Sequence, residues 1–573
     1  MFYALQVNQR NKMRWESKPT PDPKKVKEIQ EALQIPQTIA MLLIQRGIED
    51  FDNAKAFFRP QLADLHDPFM MQDMQAAVER IDQCCRDQGT LMIYGDYDVD
   101  GTTSVSLVYS FLEPYFQKIV PYIPDRYSEG YGISFEGIDV AAEQGVQLIV
   151  ALDCGIKAIE KVKYAQSKGI DFIICDHHLP ADKIPDAVAV LDPKRSDCNY
   201  PFKELCGCGI GFKLIQALTI FWKEDPKELS SYLDLVATAI AADIVPMIGE
   251  NRILAFYGIE QFRRHPRIGL KPLISQLKKP VTVTDLVFII APRINAAGRM
   301  GSALNAVKLL IEKEPDAAQR LATTIENLNF ERRTTDERIT KEALTLIENL
   351  KEQERYSTVV CDEDWHKGVI GIVASRLIET HYRPTVVFSV VDDTMVGSVR
   401  SVKGFNVYEA LEACKDHIIQ FGGHEYAAGL TIKKDRYAAF KKAFEKTVQD
   451  RILPDQRIPT IVYDLEVPLS ELTPKLFRIL DQLGPFGPQN MRPVFRTNNA
   501  LDSGYSKAVG KDGSHLRLSI QTEKNPMIGI AFSQAKFLTH IQSKKPFNLV
   551  YTLDENEWNG QTSLQLKVKD LMT

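Results

Sequence analysis

Five short apolar runs separated by helical patterns are the feature of this sequence that most restricts its fold. The runs are LMIY (91–94), IVPYI (119–123), LIVAL (148–152), FIIC (172–175) and AVAVL (187–191). Helical patterns lie between most of them, at about 102–116, 134–145 and 157–168. Strands that are apolar along their whole length and joined by helices form a parallel sheet covered on both faces. The sequence therefore predicts a doubly wound α/β domain, whose ligands bind outside the carboxyl ends of the strands.

The rest of the 573 residues is long enough for further domains. Residues 206–350 have mostly helical patterns, and the stretch 315–354 contains strong helix formers without an internal Gly or Pro. This stretch predicts a long helix that connects two domains.

A second α/β module is predicted after this helix, from a strand, a helix and a strand at 357–363, about 369–381 and 384–391. It ends near Asp450. From Pro459 onward the pattern changes to six short β-like segments with turn signals, interrupted by a helical pattern near 471–483. This part predicts a small barrel or sandwich, for which an OB-like barrel is one candidate.

The composition, with 44% apolar and 25% charged residues, is typical of a globular protein. The net charge of −5 favours no class of partner, but residues 252–299 contain nine Lys or Arg and two acids. This basic segment is either an anion-facing surface or a solvated face. The nine cysteines lack paired CxxC spacing, the N-terminus lacks a signal-like apolar region, and no run is long enough to span a membrane. We therefore expect a cytoplasmic protein with reduced thiols and no membrane association.

Acidic and imidazole side chains follow three of the predicted strands directly. The residues concerned, with one further aspartate that ends the apolar helical run LVATAIAADIVP, are Asp96, Asp98, Asp100, Asp153, Asp176, His177, His178 and Asp243. The strand ends bring such groups to one edge of the sheet, where carboxylates repel one another unless cations hold them. Carboxylate oxygens with imidazole suit Mn²⁺ or Mg²⁺ better than a closed zinc site.

Each part of this pattern has an alternative explanation when it is taken alone. GDYDVDG could belong to an EF-hand loop, but the twelfth position counted from Asp96 is Leu107 instead of Glu. A strand-end aspartate such as Asp153 is often only a helix cap, and a lone HH pair is more often structural than ligating. The joint pattern on three strand ends favours a metal site.

YGDYDVDG, LDCG, CDHH and AADIVP resemble, in this order, the four motifs of the DHH phosphoesterase superfamily. Within it, the likeness is greatest to the RecJ family of bacterial single-strand-specific 5′→3′ exonucleases. The resemblance covers roughly residues 60–573 and includes IPDRYSEGYG (123–132), PRINAAGRMG (292–301), WHKGVIGIVASRL (365–377), GSVRS (397–401), FGGHEYAAG (421–429) and LGPFGPQNMRPVF (483–495). One departure is that Gln489-Asn490 stands where a GN pair is expected.

The resemblance implies five parts. They are an N-terminal segment packing on the DHH domain (1–65), a DHH catalytic domain (66–314), a connector helix (315–355), a DHHA1 substrate-binding domain (356–452) and an OB-fold nucleic-acid-binding domain (453–573). We expect no additional C-terminal partner-binding domain.

The resemblance also implies the roles of individual residues. The implied ligands of two Mn²⁺ or Mg²⁺ ions are Asp98, Asp100, Asp153, His177 and Asp243, with Asp153 bridging the ions and Asp96 a ligand or an immediate neighbour. His178 is expected to face the scissile phosphate, and Asp176 to orient the histidines. The implied substrate contacts are Arg126, Arg293, Ser398, Arg400, Gly422, Gly423 and His424.

The implied function is 5′→3′ hydrolysis of single-stranded DNA by a two-metal mechanism in DNA repair and recombination. One alternative is a DHH-family phosphodiesterase acting on short oligonucleotides or cyclic dinucleotides, although such members lack the RecJ-like run after the catalytic motifs. Another is a non-catalytic single-strand-binding scaffold, although every motif carboxylate and histidine is intact here. Single-strand-binding protein and a RecQ-type helicase are the expected protein partners of a monomeric chain.

Overall fold

The computed structural model describes residues 13–523, 525–558 and 560–573, so the first twelve residues of the N-terminal segment lie outside the described part. The chain divides into two compact units. Unit 1 contains Met1–Glu49, Glu331–Leu480 and Pro493–Thr573, and unit 2 contains Asp50–Phe330 and Asp481–Arg492. Within the described residues, no helix combines the length and the apolar character needed to cross a membrane.

The N-terminal region contributes elements to both units. The elements are β1 (Arg14–Ser17), α1 (Pro23–Leu33) and α2 (Gln37–Ile44) in unit 1, and α3 (Phe51–Phe58) and α4 (Met74–Arg86) in unit 2. Strand β1 pairs in parallel with a strand at Thr460–Tyr463. This pairing differs from the expectation that residues 1–65 pack on the DHH domain, since it places residues 14–17 beside the C-terminal region of the chain.

Unit 2 is built around a five-stranded sheet. Its strands and the helices between them are β2 (Thr90–Gly95), α5 (Val99–Leu112), β3 (Ile119–Tyr122), α6 (Phe135–Glu143), β4 (Val146–Leu152), α7 (Ile159–Ser167), β5 (Asp171–Cys175) and β6 (Ala189–Leu191). The strand order is β3-β2-β4-β5-β6, and every pair is parallel. The predicted doubly wound α/β domain is confirmed.

Alternate residues of each strand pack into two different cores, which explains why the strands are apolar throughout. Leu91 and Ile93 belong to one core, together with Val150 of β4. Met92 and Tyr94, the neighbours of these residues in β2, belong to the other. The sheet is therefore buried on both faces, and only its strand ends are available to polar groups.

The remainder of unit 2 is helical, as predicted. Its helices are α8 (Gly207–Trp222), α9 (Leu233–Ala242), α10 (Gly249–Arg264), α11 (Lys271–Ile274), α12 (Val283–Asp285), α13 (Ala291–Met300) and α14 (Leu304–Ile311), with a π-helical turn at Leu286–Ile290. The predicted long helix is α15 (Pro315–Asn349), which has 35 residues.

Unit 1 contains the second α/β module that the sequence predicts. Its elements are β7 (Thr358–Asp362), α16 (Ile370–Thr380), β8 (Thr385–Val391), β9 (Thr394–Arg400), α17 (Val407–Glu412), β10 (Gln420–Gly423), β11 (Ala427–Lys433) and α18 (Tyr437–Arg451). The strand order is β10-β11-β9-β8-β7, in which only β7 and β8 are parallel.

The C-terminal region is mostly β-structure, in agreement with its sequence pattern. Its elements are β12 (Thr460–Tyr463), β13 (Leu465–Glu466), α19 (Pro474–Asp481), β14 (Phe495–Ala500), β15 (Lys507–Val509), β16 (His515–Ile520), β17 (Met527–Ala531), α20 (Leu538–Gln542), β18 (Phe547–Trp558) and β19 (Gln561–Met572). Seven of these strands form one mixed sheet in the order β13-β14-β18-β19-β17-β16-β15. Helix α19 lies where a helix was predicted near residues 471–483.

Candidate metal centre

Three strands of the unit 2 sheet end level with one another, and a polar residue follows each. Gly95 pairs with Leu152, and Leu152 pairs with Cys175. The next residues along the chain are Asp96, Asp153 and Asp176. A fourth carboxylate reaches the same place from a helix, since Asp243 is the C-cap of α9.

His177 lies at the centre of this group. Its Nε2 is 3.2 Å from Oδ1 of Asp153, 3.7 Å from Oδ2 of Asp243 and 3.8 Å from Oδ2 of Asp100. Burial and the positive charge of His178 lower the pKa of His177 to about 3. The imidazole is therefore neutral at physiological pH and can offer a nitrogen lone pair to a cation.

Asp153 is held in an unusual backbone conformation. Its φ of 60° lies in the left-handed region, and its N–H donates to the Cys175 carbonyl at 2.8 Å. Gly207, at the start of α8, packs directly against it, because an added Cβ at Gly207 would lie 2.6 Å from the Asp153 Cβ. The side chain is thereby directed into the cluster by its backbone and by a helix that needs glycine at this position.

Asp100 is held by the N-terminus of α8, the helix that also packs against Asp153. Its two carboxylate oxygens accept the N–H groups of Gly207 and Cys208, each at 2.7 Å. Burial, followed by the charge of Asp98, raises the pKa of Asp100 to about 7. Asp98 itself caps α5, accepting the Gly101 N–H at 3.1 Å.

Several buried polar atoms of this cluster are poorly satisfied by the protein itself. Among the described residues, both carboxylate oxygens of Asp96, Oδ1 of Asp153 and Nδ1 of His177 lack a hydrogen bond of ordinary geometry. Burial first, and then neighbouring carboxylates, raise the pKa of Asp96 and of Asp153 well above the usual range. Buried carboxylates that repel one another are costly unless a cation is present. These donors, oxygen with one imidazole, fit Mn²⁺ or Mg²⁺.

Asp176 holds the two histidines in place through hydrogen bonds. Its Oδ2 accepts the Ile156 N–H at 2.8 Å, and its Oδ1 accepts the N–H of His177 at 2.8 Å and of His178 at 3.1 Å. Nδ1 of His178 also lies 2.7 Å from Oδ1. Burial alone would raise the pKa of Asp176, but the hydrogen bond and charge of His178 and the backbone donors lower it below the usual value.

His178 lies on the open side of the cluster. Its side chain is 44% exposed, and its Nε2 is 3.2 Å from the Tyr131 hydroxyl. Burial opposes protonation of this imidazole, but the hydrogen bond with Asp176 and nearby carboxylates outweigh it and raise the pKa to about 9. The two histidines of the DHH motif are therefore in opposite states, one neutral among carboxylates and the other cationic and accessible.

Comparison with known proteins follows the domain pattern of the fold. The chain matches the DHH family, N-terminal domain, over residues 90–240, the DHHA1 domain over residues 353–450 and the RecJ OB domain over residues 463–570. It is 36% identical to the single-stranded-DNA-specific exonuclease RecJ of Bacillus subtilis, over 98% of this chain and 71% of the relative. The chain belongs to the RecJ family. The corresponding Escherichia coli protein is 32% identical, over 94% of this chain and 96% of the relative.

Solved RecJ structures agree with this assignment. The crystal structure of Thermus thermophilus RecJ in complex with Mn²⁺ matches with a TM-score of 0.84 and 28% identity, over 98% of this chain and 79% of that one. The structure of the same protein in complex with Mg²⁺ matches with a TM-score of 0.78 and 26% identity, over 98% and 78%. The RecJ fold, with its DHH, DHHA1 and OB parts, is thus the fold of this chain.

Two arginines were predicted as substrate contacts in the RecJ DHH part, and their surroundings differ. The half-buried Arg126 guanidinium lies 4.7 Å from the centre of the Tyr97 ring, and its charge acts on Asp96. Arg293 instead donates to the Glu326 carboxylate and to the Ile289 carbonyl. Arg126 is therefore placed near the metal centre, whereas Arg293 is engaged in helix contacts.

The other predicted substrate contacts lie in unit 1. Ser398 and Arg400 are on β9, where the Arg400 guanidinium donates to the Ser398 hydroxyl at 3.0 Å. Gly371, at the start of α16, faces both of them, because an added Cβ would be 2.9 Å from each side chain. The remaining three follow one another at the end of β10: Gly422, Gly423 and His424, the last donating its N–H to Ala427 at 2.9 Å.

The basic segment 252–299 contains side chains with internal partners as well as exposed ones. Its arginines are used largely inside unit 2: Arg252 donates to the Phe57, Leu483 and Pro485 carbonyls, Arg263 to Val281 and Glu260, and Arg267 to Asp234, Ser231 and Leu310. Arg263, Arg264 and the three lysines of the segment are exposed. Counting charges along the sequence does not separate arginines with internal partners, such as Arg252 and Arg267, from solvated ones.

One carboxylate at the same sheet edge was missed. Asp192 directly follows β6 and is fully buried. Its Oδ1 accepts the Lys194 N–H at 2.7 Å, whereas its Oδ2 has no partner among the described residues. Burial, together with the charge of Asp176, raises the pKa of Asp192 to about 7. The sequence pattern could have identified it, because Asp192 directly follows the fifth apolar run, as Asp153 and Asp176 follow the third and fourth.

The Gln489 departure from the RecJ pattern has a backbone explanation. Gln489 has a φ of 60°, a conformation that glycine adopts without steric cost. We expect Gln489→Gly to leave the protein as stable or to stabilise it by up to about 1 kcal/mol, because relief of strain outweighs the entropy gained by the unfolded chain. Thermal melting of the metal-free protein measures the effect.

The matched control for this substitution is Gln83→Gly, at an exposed position inside α4. Glycine inside a helix costs about 1 kcal/mol, so this variant should melt at a lower temperature than the parent. Equal losses of melting temperature in the two variants would contradict the conformational explanation.

Proposed function

We propose that the chain is a metal-dependent exonuclease that hydrolyses the phosphodiester bonds of single-stranded DNA. The observation that carries the proposal is the convergence of the Asp100, Asp153 and Asp243 carboxylates on the imidazole of His177, in a chain of the RecJ family. An uncompensated cluster of this kind would destabilise a protein that only bound DNA.

The proposed ligands of two Mn²⁺ or Mg²⁺ ions are Asp98, Asp100, Asp153, His177 and Asp243, with Asp96 a ligand or an immediate neighbour. Such ions, when bound, lower the pKa of a water molecule and neutralise charge on the phosphoryl oxygens. The protein's own contribution is rigidity: the strand ends, the start of α8 and the left-handed Asp153 hold the carboxylates in place before the ions bind.

His178 is the proposed contact to the scissile phosphate. Its imidazole faces the accessible side of the cluster, and its hydrogen bond to Asp176 fixes the ring orientation and stabilises its positive charge. A cationic donor at this place would offset charge that develops on the phosphoryl oxygens. Asp176 thus acts through His178 and through the backbone of the CDHH turn.

The remaining substrate contacts are assigned to both units on family grounds. Arg126 in unit 2, and Ser398, Arg400, Gly422, Gly423 and His424 in unit 1, are the proposed contacts, and Arg293 is retained only as a weaker candidate because Glu326 already neutralises it. Guanidinium and hydroxyl donors side by side suit a phosphate group. The five predicted parts of the chain, apart from the placement of residues 14–17, remain our proposed domain division.

The finer biological assignments also rest on the family. We propose 5′→3′ polarity, a role in DNA repair and recombination, a cytoplasmic location and a monomeric chain. Single-strand-binding protein and a RecQ-type helicase are the proposed partners.

The alternatives have less support. A phosphodiesterase for short oligonucleotides or cyclic dinucleotides needs no OB domain, whereas residues 463–570 match the RecJ OB domain. A non-catalytic scaffold has no use for a cluster of buried carboxylates that repel one another, which this chain retains.

Strand selectivity is the direct test of this proposal. The protein with Mn²⁺ should release nucleotides from a single-stranded oligonucleotide and leave a blunt duplex of the same sequence intact, and excess EDTA should stop the release. Equal degradation of both substrates, or release that persists in EDTA, would contradict the proposal.

A further inference from the structure

The segment 483–490, LGPFGPQN, resembles the RecJ family in sequence but has no part in the site described above. It lies in unit 2, although Leu480 and Pro493 on either side belong to unit 1. Within unit 2 it packs beside the turn that follows Asp243, because the Met247 N–H donates to the Pro488 carbonyl at 2.8 Å. The structure therefore connects a C-terminal sequence motif with a proposed metal ligand.

Asp243 needs more support than the other proposed ligands. It comes from the end of a helix instead of a strand, and its side chain is 30% exposed, compared with 1% for Asp100 and 3% for Asp153. The next residue, Ile244, has a left-handed φ of 59° and is 66% exposed. The direction of the Asp243 side chain consequently depends on what holds residues 244–248.

The contacts that hold this turn include two hydrogen bonds on opposite sides of it. On one side, the Asn251 side-chain amide of α10 donates to the Pro246 carbonyl at 3.1 Å. On the other side is the bond from Met247 to Pro488. The Met247 side chain is buried against Gly487, where an added Cβ would lie 3.0 Å from its Cε and 3.1 Å from its Cβ. The contact of Met247 with Gly487 and Pro488 can therefore fix the turn only if the 483–490 segment is itself rigid.

Asn490 and Arg252 make this segment rigid. The Asn490 Nδ2 donates to the Leu483 carbonyl at 2.8 Å and to the Pro485 carbonyl at 2.9 Å. The Arg252 guanidinium donates to the same two carbonyls, at 2.9 and 3.4 Å, and lies 3.8 Å from the centre of the Phe57 ring. Asn490 is 1% and Arg252 4% exposed, so the side chains that donate these hydrogen bonds are buried, and loss of either would leave buried carbonyls short of a donor.

We propose that Asn490, assisted by Arg252, is a positioning residue for the metal centre. It holds the 483–490 segment against Met247, and this contact keeps Asp243 directed toward His177. The inference rests on the proposed role of Asp243 as a metal ligand. Residues that orient a ligand without touching the metal typically change metal affinity about 10- to 100-fold when they are replaced.

Titration calorimetry of Mn²⁺ into the full-length, metal-free protein tests this role. We expect Asn490→Ala to weaken Mn²⁺ binding about tenfold. Gly487→Ala, which only crowds Met247, should weaken it less but in the same direction. The control is Asp234→Asn, at the opposite end of α9, which disturbs the hydrogen bonds to Arg267 and should lower the melting temperature without changing Mn²⁺ affinity.

Wild-type Mn²⁺ affinity in both Asn490→Ala and Gly487→Ala would overturn the proposal and leave the segment with a structural role alone. If Asn490→Ala does not fold, Gly487→Ala decides the question. Asp243→Ala tests the ligand role by itself, because wild-type Mn²⁺ affinity in that variant would remove the ligand role on which the positioning role depends. Since the readout is metal binding, a failure of the nuclease assignment would not affect it.

Discussion

Asp153→Ala is expected to lower hydrolysis of single-stranded DNA at least about a thousandfold, or roughly 4 kcal/mol of transition-state stabilisation. Asp153 lies 3.2 Å from the His177 Nε2, and its backbone and Gly207 leave it no other direction. Truncation removes a proposed metal ligand, and Asp98 and Asp100, its neighbours, are held by hydrogen bonds of their own. Release of nucleotides from a labelled single strand at saturating Mn²⁺ measures the loss.

Stability distinguishes this effect from misfolding. The metal-free Asp153→Ala protein should melt no lower than the parent, because the substitution removes one of several buried carboxylates that repel one another. The increase in melting temperature that Mn²⁺ causes in the parent should be reduced in the variant. The control is Asp139→Ala, which breaks an ion pair with Lys168 on the surface of α6 and should retain activity. Full activity in Asp153→Ala would contradict the site assignment.

Asp176→Asn is expected to lower activity about 10²- to 10³-fold while the protein remains folded. Asp176 accepts hydrogen bonds on both oxygens, from Ile156 on one side and from the two histidines on the other. An asparagine of the same size must turn its NH₂ group toward one of these donors, and it also loses the charge that stabilises cationic His178. The same single-strand assay measures the change.

Leu179→Ala is the control for Asp176→Asn. Leu179 follows the CDHH motif directly, and its side chain is 72% exposed, so its truncation should leave the rate unchanged. Equal rates in Asp176→Asn and the parent would show that the orientation of His178 does not matter for hydrolysis. Equal losses in both variants would show that any change in this loop is harmful, and the specific role of Asp176 would then fail.

The parts of the fold that local pattern determines were predictable from the sequence. Continuous apolar strands indicated a sheet buried on both faces. Consecutive residues such as Ile93 and Tyr94 do pack into separate cores, one on each face. Because strands of a parallel sheet end at one edge, the convergence of Asp96, Asp153 and Asp176 followed from the chain order alone. The same rule also predicts Asp192 at this edge, because Asp192 follows the fifth apolar run directly.

The features that depend on long-range pairing were not predictable from local pattern. Strand β1 pairs with β12 from the other end of the chain, and nothing in its four residues specifies that partner. The support of the Asp243 turn by Pro488 also joins distant segments. The role of the basic segment could not be decided from the sequence for a related reason. An arginine such as Arg252 gives the same sequence signal whether it faces solvent or donates to buried carbonyls.

The measurement that tests the central claim most directly is one reaction series with two substrates. A 5′-labelled single-stranded oligonucleotide and a cyclic dinucleotide are each incubated with the protein and Mn²⁺, and the products are separated by length. The proposed function predicts that the single strand loses its 5′ label as mononucleotides while the cyclic dinucleotide stays intact. Cleavage of the cyclic dinucleotide with an intact single strand would contradict it.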